Sequence, residues 1–329
     1  MPDKKAHVPD TVDATVAADS DAVNAPATIT PATPPATVAA SISAPVTGKK
    51  NSVFRGVIRR LSKNGAAMTG FAIFVLFVLL SVFSPLIAPY GYEEMDIPNA
   101  FLGPSWQHLC GTDNLGRDIF SRLLYGGRFS IGLGLTAQVF MLTIGVGLGC
   151  IAGYFGGKIE TIIMRFCDIW QAMPQILLAI IISTVLGGGF LNTVIAMGVG
   201  GIPPGARMIR AQFLQLREQE FVEAAKAVNC STPRIILKHI LPNAISPMIV
   251  GSTMAMGNII TGAAQLSYIG LGVQPPTPEW GAMLVSGREY IRYYPHMILF
   301  PGLCLAIVIL AMNMFGDGLR DAMDPKLKN

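Results

Sequence analysis

Charge is scarce in this 329-residue chain: Asp, Glu, Lys and Arg make up 13% of it, against 51% hydrophobic residues and a mean hydropathy of +0.50. Soluble domains carry about 25% charged residues, so a water-surrounded globule is excluded. The net charge of +4 is too small to imply a polyanion, and nucleic acid is not expected as a partner. The five cysteines at 110, 150, 167, 230 and 304 show no CxxC spacing or histidine cluster, so neither a metal site nor a disulfide framework is expected. HExxH, GxSxG and GxxxxGK[ST] are all missing, as are acidic pairs within an apolar stretch. Ion-driven carriers usually hold ionisable groups near the bilayer midplane; this chain is expected to hold none there. If the chain moves something uphill, the energy comes from another polypeptide, and no cofactor is expected in this one.

What remains is a low-complexity tail and an apolar body rich in glycine. Residues 1–48 are Ala, Pro and Thr-rich and are expected to form a disordered cytoplasmic tail, because such side chains cannot offset ordering entropy. They match neither a signal nor a transit peptide. Residues 49–64 form a basic amphipathic segment. Val53, Phe54, Val57, Ile58 and Leu61 share one helical face, with Arg55, Arg59, Arg60 and Lys63 elsewhere. Both a helix lying on the anionic lipid interface and an ordinary basic flank fit that pattern.

Residues 65–329 read as an all-α, polytopic membrane domain. No charge falls between Lys63 and Glu93, Arg128 and Lys158, Asp168 and Arg207, Lys238 and Glu279, or Arg292 and Asp317. A spanning helix needs about 20 residues, and the third interval is divided by Gly187-Gly188-Gly189. Six spans are therefore predicted, at about 66–88, 129–155, 161–186, 191–212, 244–267 and 297–316. With the N-terminus cytoplasmic, seventeen of the body's basic residues lie inside and five (Arg117, Arg122, Arg128, Arg288, Arg292) outside. That bias predicts a multi-pass protein with both termini in the cytoplasm.

Within the spans, Gly145, Gly149 and Gly153 recur every fourth residue and predict a flat packing face. Gly201, Pro203, Pro204 and Gly205 should kink or open span four, either as a structural bend or beside a translocation pathway. Arg165 and Asp168, three residues apart, are expected to neutralise each other.

The longest inner loop, about 213–242, predicts two short helices and a tight turn projecting from the membrane. Asn229 suits a left-handed C′ position, Thr232 an N-cap with Pro233 following, and Pro242 a stop. The small Ala224-Ala225 pair would let another protein approach closely. Glu223-Ala224-Ala225, the turn at Asn229 and Ile240-Leu241-Pro242 resemble the EAA loop of bacterial ABC importer permeases, with asparagine where glycine is usual. Three further stretches resemble the C-type permeases of the dipeptide, oligopeptide and nickel group. These are Gly111-Thr112-Asp113 through Gly116-Arg117-Asp118 ahead of span two, Leu266 to Gly281 after span five, and Asn313 to Pro325 at the end. Bland readings of the first two are a Gly/Asp turn before an amphipathic surface helix and a rigid proline loop.

The resemblance covers about residues 50–329. It implies a non-catalytic subunit in the bacterial inner membrane that forms a pathway with a homologous B-type permease. It also implies two cytoplasmic ATP-binding subunits, which hold ATP and magnesium and receive the coupling loop, and an extracytoplasmic solute-binding protein. Di- or oligopeptides are the commonest solutes of this group; nickel, glutathione and other small solutes are alternatives. A stand-alone carrier, an enzyme and a scaffold are the competing classes, disfavoured by the missing charges and motifs.

Overall fold

The computed structural model describes residues 50–323, so the tail at 1–48 and the terminal Asp324-Pro325 lie outside the described residues. Those residues are helical, with no strand among them; the single β-bridge joins Thr112 to Asp118. Helix α1 (Lys50–Leu61) leads into α2 (Gly65–Val82), whose N-cap Asn64 accepts the Ala67 N–H at 3.1 Å. A single turn, α3 (Ser84–Ile87), and an irregular segment precede the 37-residue α4 (Ile119–Phe155). Next come α5 (Gly157–Gln171), α6 (Gln175–Leu186), α7 (Phe190–Leu216), α8 (Glu220–Ala227) and a three-residue α9 (Thr232–Arg234). A π-helical stretch, Ile235–Ile240, runs into α10 (Leu241–Tyr268), followed by α11 (Trp280–Arg288) and α12 (His296–Met323).

Each of the six predicted spans coincides with a helix or a bent pair. The α2, α4 and α12 helices are long and apolar enough to cross a bilayer. The α5–α6 pair, bent by 85°, and the α9–α10 region, bent by 59°, qualify only as pairs, giving up to five spans by length and composition. Helix α7 is where the sixth span was predicted: its 27 residues reach about 40 Å, but its glycines, prolines and arginines dilute its hydropathy and it falls outside that count.

Several predicted boundaries move for physical reasons. Span two starts ten residues early, at Ile119, and α4 at about 55 Å exceeds a hydrocarbon core of about 30 Å. Its extra turns are buried against the irregular segment before it and against α2 and α11, so the predicted amphipathic surface helix is instead a covered stalk. Span three breaks after Gln171, where Pro174 lacks the N–H a continuous helix requires. Span four neither breaks nor opens: the chain stays helical through Pro203 and Pro204. The glycines of α4 let the two helices meet backbone to backbone. A Cβ added at Gly149 would stand 2.6 Å from the Ala206 carbonyl oxygen, and one at Gly145 would stand 3.1 Å from that of Ile202. The predicted Gly145–Gly149–Gly153 face is thus the seat of α7. A further helix, α11, follows the predicted proline loop, in a stretch for which no helix was predicted.

Candidate functional site

The loop after α7 folds into a hairpin whose turn closes by backbone bonds. Asn229 sits at φ 58°. Its N–H donates to the Lys226 carbonyl at 2.9 Å, and the Cys230 N–H donates to the Ala225 carbonyl at 3.1 Å. This pair of bonds is a Schellman motif, completed by asparagine because its short amide side chain tolerates the left-handed region. The second arm departs from the prediction at both ends. Its N-cap is Ser231 rather than Thr232. Pro242 does not stop the arm but occupies the first turn of α10, where no N–H is needed.

The hairpin does not simply project. Val222, Ala225, Ile235 and Ile240 are buried with Ile209 and Phe213 of α7, Cys150 of α4 and Met248 of α10. Of the alanine pair only Ala224 faces outward, beside Glu223; Ala225 is small because its own chain fills the space. Asn229 and Pro242 are exposed, Leu241 half-buried. A push on the outer face would therefore reach α7 through packed side chains.

At the same end, α5 is tied to α7 by charge. Arg210 Nε donates to Glu160 Oε1 at 2.6 Å, and Arg207 Nη2 to Asp168 Oδ1 at 2.6 Å. The predicted Arg165–Asp168 pair exists at 3.6 Å, but Arg207 is the nearer partner.

Further along α7 a cleft of about 480 Å³ opens between α4, α6, α7 and α10. Gly201, Pro204 and Gly205 line it, whereas Pro203 is buried on the other side. Among the described residues, no charged one lines the cleft. Facing α7 are Asn258, Thr261 and Gln265 of α10, a face the sequence reading missed. Its signal was present: polar residues at i, i+3 and i+7 in a charge-free span share one side of a helix.

At the opposite end of α4, residues 88–118 form a cap around buried charge. Asp113 Oδ1 accepts the Leu115 and Arg117 N–H groups at 2.9 and 3.0 Å, and Oδ2 accepts Arg117 Nε at 2.7 Å. Arg122 Nε lies 3.7 Å from the same carboxylate and its Nη1 donates to the Tyr92 carbonyl at 2.8 Å. Asp118 caps α4 by accepting the Ser121 N–H at 2.7 Å and lies 3.0 Å from His108 Nδ1. Thr112 Oγ1 donates to the Asn99 carbonyl at 2.6 Å. Gly116, at φ 74°, lies tightly against the Asp96 carbonyl, and Gly111, at φ 79°, against Leu102 and His296. Side chains there would collide as well as strain the backbone. Glu279, only 2% exposed, caps α11 through the Gly281 and Ala282 N–H groups and accepts the Ser130 hydroxyl at 3.1 Å. Burial pushes the Cys110 thiol beneath the cap up to about 12, with the Asp118 charge adding to the effect.

A charge-free cleft, a hairpin seated on the helix beside it and a cap on the far pole fit a membrane permease. Comparison with known proteins agrees. Residues 145–329 match the family of binding-protein-dependent transport system inner membrane components, and residues 52–104 match the N-terminal transmembrane domain of oligopeptide transport permease C. The chain belongs to this family of ABC importer permeases. It is 45% identical over 278 residues to the dipeptide transport system permease protein DppC of Alkalihalophilus pseudofirmus, covering 84% of this chain and 91% of that one. It is also 45% identical over 271 residues to the glutathione transport system permease protein GsiD of Escherichia coli, covering 82% and 89%. In fold it is similar to an inward-facing MetNI methionine ABC transporter, with a TM-score of 0.50 at 19% identity, covering 63% of this chain and 98% of that one.

Proposed function

We propose that the chain forms one half of the translocation pathway of an ATP-driven importer, a homologous permease forming the other half. The observation that carries this reading is the mechanical continuity from hairpin to cleft. Glu223, Ala224, Asn229 and Pro242 face outward as contacts for a cytoplasmic ATP-binding subunit. Ala225, Ile240 and Leu241 pass its movement to Phe213 and Ile209 of α7, whose next turns carry Gly201, Pro204 and Gly205 into the cleft. Two such ATPases, holding ATP and magnesium, supply the energy, and closing them rocks the helices between inward- and outward-facing arrangements.

In this reading the hairpin end and both termini are cytoplasmic, which the distribution of Lys and Arg supports. The cap is the extracytoplasmic platform on which a solute-binding protein rests, and Gly111 to Asp118 act there by holding its shape rather than by touching solute. Helix α1 lies along the inner lipid interface. Di- or oligopeptides are the solute class we favour over nickel. Neutral amide and hydroxyl groups such as Asn258, Thr261 and Gln265 suit peptide bonds, and the cleft offers no carboxylate or imidazole to a metal ion. A pull-down of the ATP-binding subunits with Glu223→Arg/Ala224→Trp tests the docking face. Loss of the ATPase with the permease still folded is the expected result; undiminished recovery would sink the assignment.

A further inference from the structure

The cleft is walled by an unusual kind of contact. Where its helices meet, a long flexible side chain of one lies on a glycine of the next. Met141 of α4 rests on Gly201 of α7, and Met197 of α7 on Gly262 of α10. Met208 of α7 has its methyl carbon 3.0 Å from where a Cβ of Gly251 would stand, and Gln175 of α6 has its Cγ 2.6 Å from that of Gly200. All eight residues except Gly200 line the cleft. Contacts between α4 and α7 nearer the hairpin end are different: there glycine meets backbone at Ala206 and Arg210 and the β-branched or β-carbon stems of Ile209 and Phe213, with no long flexible chain to swing aside.

An unbranched thioether has three rotatable bonds and little preference among its rotamers. Seated on glycine it fills the groove; turned away it projects into the passage, with no backbone movement in either case. We propose that these Met–Gly and Gln–Gly seats set the bore of the passage, so that Met141, Met197, Met208 and Gln175 are the chain's size-determining residues for solute. The proposal rests on the transport reading above and deepens it. Because the adjustable atoms are uncharged, the bore yields to the bulk of a solute and is indifferent to the charge of its side chains. Methionine serves promiscuous recognition surfaces in the same way.

The test uses the complete importer, with its second permease, ATPases and solute-binding protein, reconstituted in vesicles and supplied with dialanine or diphenylalanine. Gly201→Ala removes the seat of Met141 and drives its side chain into the passage. Diphenylalanine uptake should fall roughly tenfold, the scale on which an overpacked contact acts, while dialanine uptake falls by less than about half that factor. Dialanine uptake retained by Gly201→Ala shows that the chain is folded, and adding Met141→Ala should then restore diphenylalanine uptake. Equal loss of both peptides, no loss of either, or no recovery in the double variant overturns the bore assignment while leaving the transport reading intact. A wild-type complex that takes up neither peptide overturns the peptide reading itself, and the inference with it.

Discussion

The two ends of α4 are built on opposite principles. At the cap end, buried charge does the holding: Asp113 gathers two backbone N–H groups and two arginines, and Asp118 and Glu279 each cap a helix from inside the protein. Such groups tolerate little displacement, because a carboxylate or guanidinium separated from its partners in a low-dielectric setting is left uncompensated. At the hairpin end, aliphatic side chains make the contact, and the ion pairs between α5 and α7 lie partly exposed. Apolar contact is non-directional, so the surfaces can shift while staying buried. The difference teaches where movement is permitted: the cap is a fixed template, and the hairpin and cleft form the part able to change shape.

Asp113→Ala should break that comparison most severely. It strands Arg117 and Arg122, both 4% exposed, and removes the acceptor for two backbone N–H groups. A loss on the order of 3–5 kcal/mol is expected, seen as failure to accumulate in membranes or a sharply lowered melting temperature in detergent. Next is Gly149→Leu in the face that seats α7. Its Cβ alone would meet the Ala206 carbonyl oxygen at 2.6 Å, and a cost of about 1–3 kcal/mol follows from overpacking. A thermal melt should show it, with the effect exceeding that of Gly147→Leu, because nothing lies near a Cβ at Gly147.

Asn229→Val tests the movable end. A β-branched residue at φ 58° should cost roughly 1–2 kcal/mol, whereas Asn229→Gly should match or exceed the wild type in the same melt. Arg210→Gln cuts a partly exposed pair with Glu160 and should cost no more than about 1 kcal/mol. A loss as large as that of Asp113→Ala would erase the distinction between the two ends. The smallest disturbance is chemical. Cys110 is buried and its thiol is pushed up to about 12 by desolvation, so it should resist maleimide at pH 8 until the cap is unfolded. Rapid labelling of the native protein, followed by mass spectrometry, would show the cap to be less closed than its hydrogen bonds require.

Much of the architecture was legible in the residues because a bilayer reduces the problem to few variables. Long uncharged intervals located the helices or bent pairs of the body, of which three to five qualify as spans, and the Gly145–Gly149–Gly153 period named the face that α7 occupies. Asn229 was readable as the turn because very few residues enter the left-handed region easily. The fate of proline was not. Pro242 was read as a stop and Pro203-Pro204 as a kink or an opening, yet proline removes only its own N–H. Whether the helix survives depends on what surrounds the freed carbonyls. Ala224 and Ala225 were likewise one motif in sequence, but they face opposite ways because successive helical positions differ by about 100°.

By itself the sequence determined the helical membrane class, the places of the long apolar helices and the position of the hairpin, because these follow from local hydropathy and backbone preference. Only the tertiary structure decided that Asp113, Arg117 and Arg122 are an interior scaffold, that Ala225 faces its own core, and that Asn258, Thr261 and Gln265 share a cleft with Gly201. These properties depend on which groups meet across distant segments. In a bundle of helices, that is fixed by how each one is rotated against its neighbours.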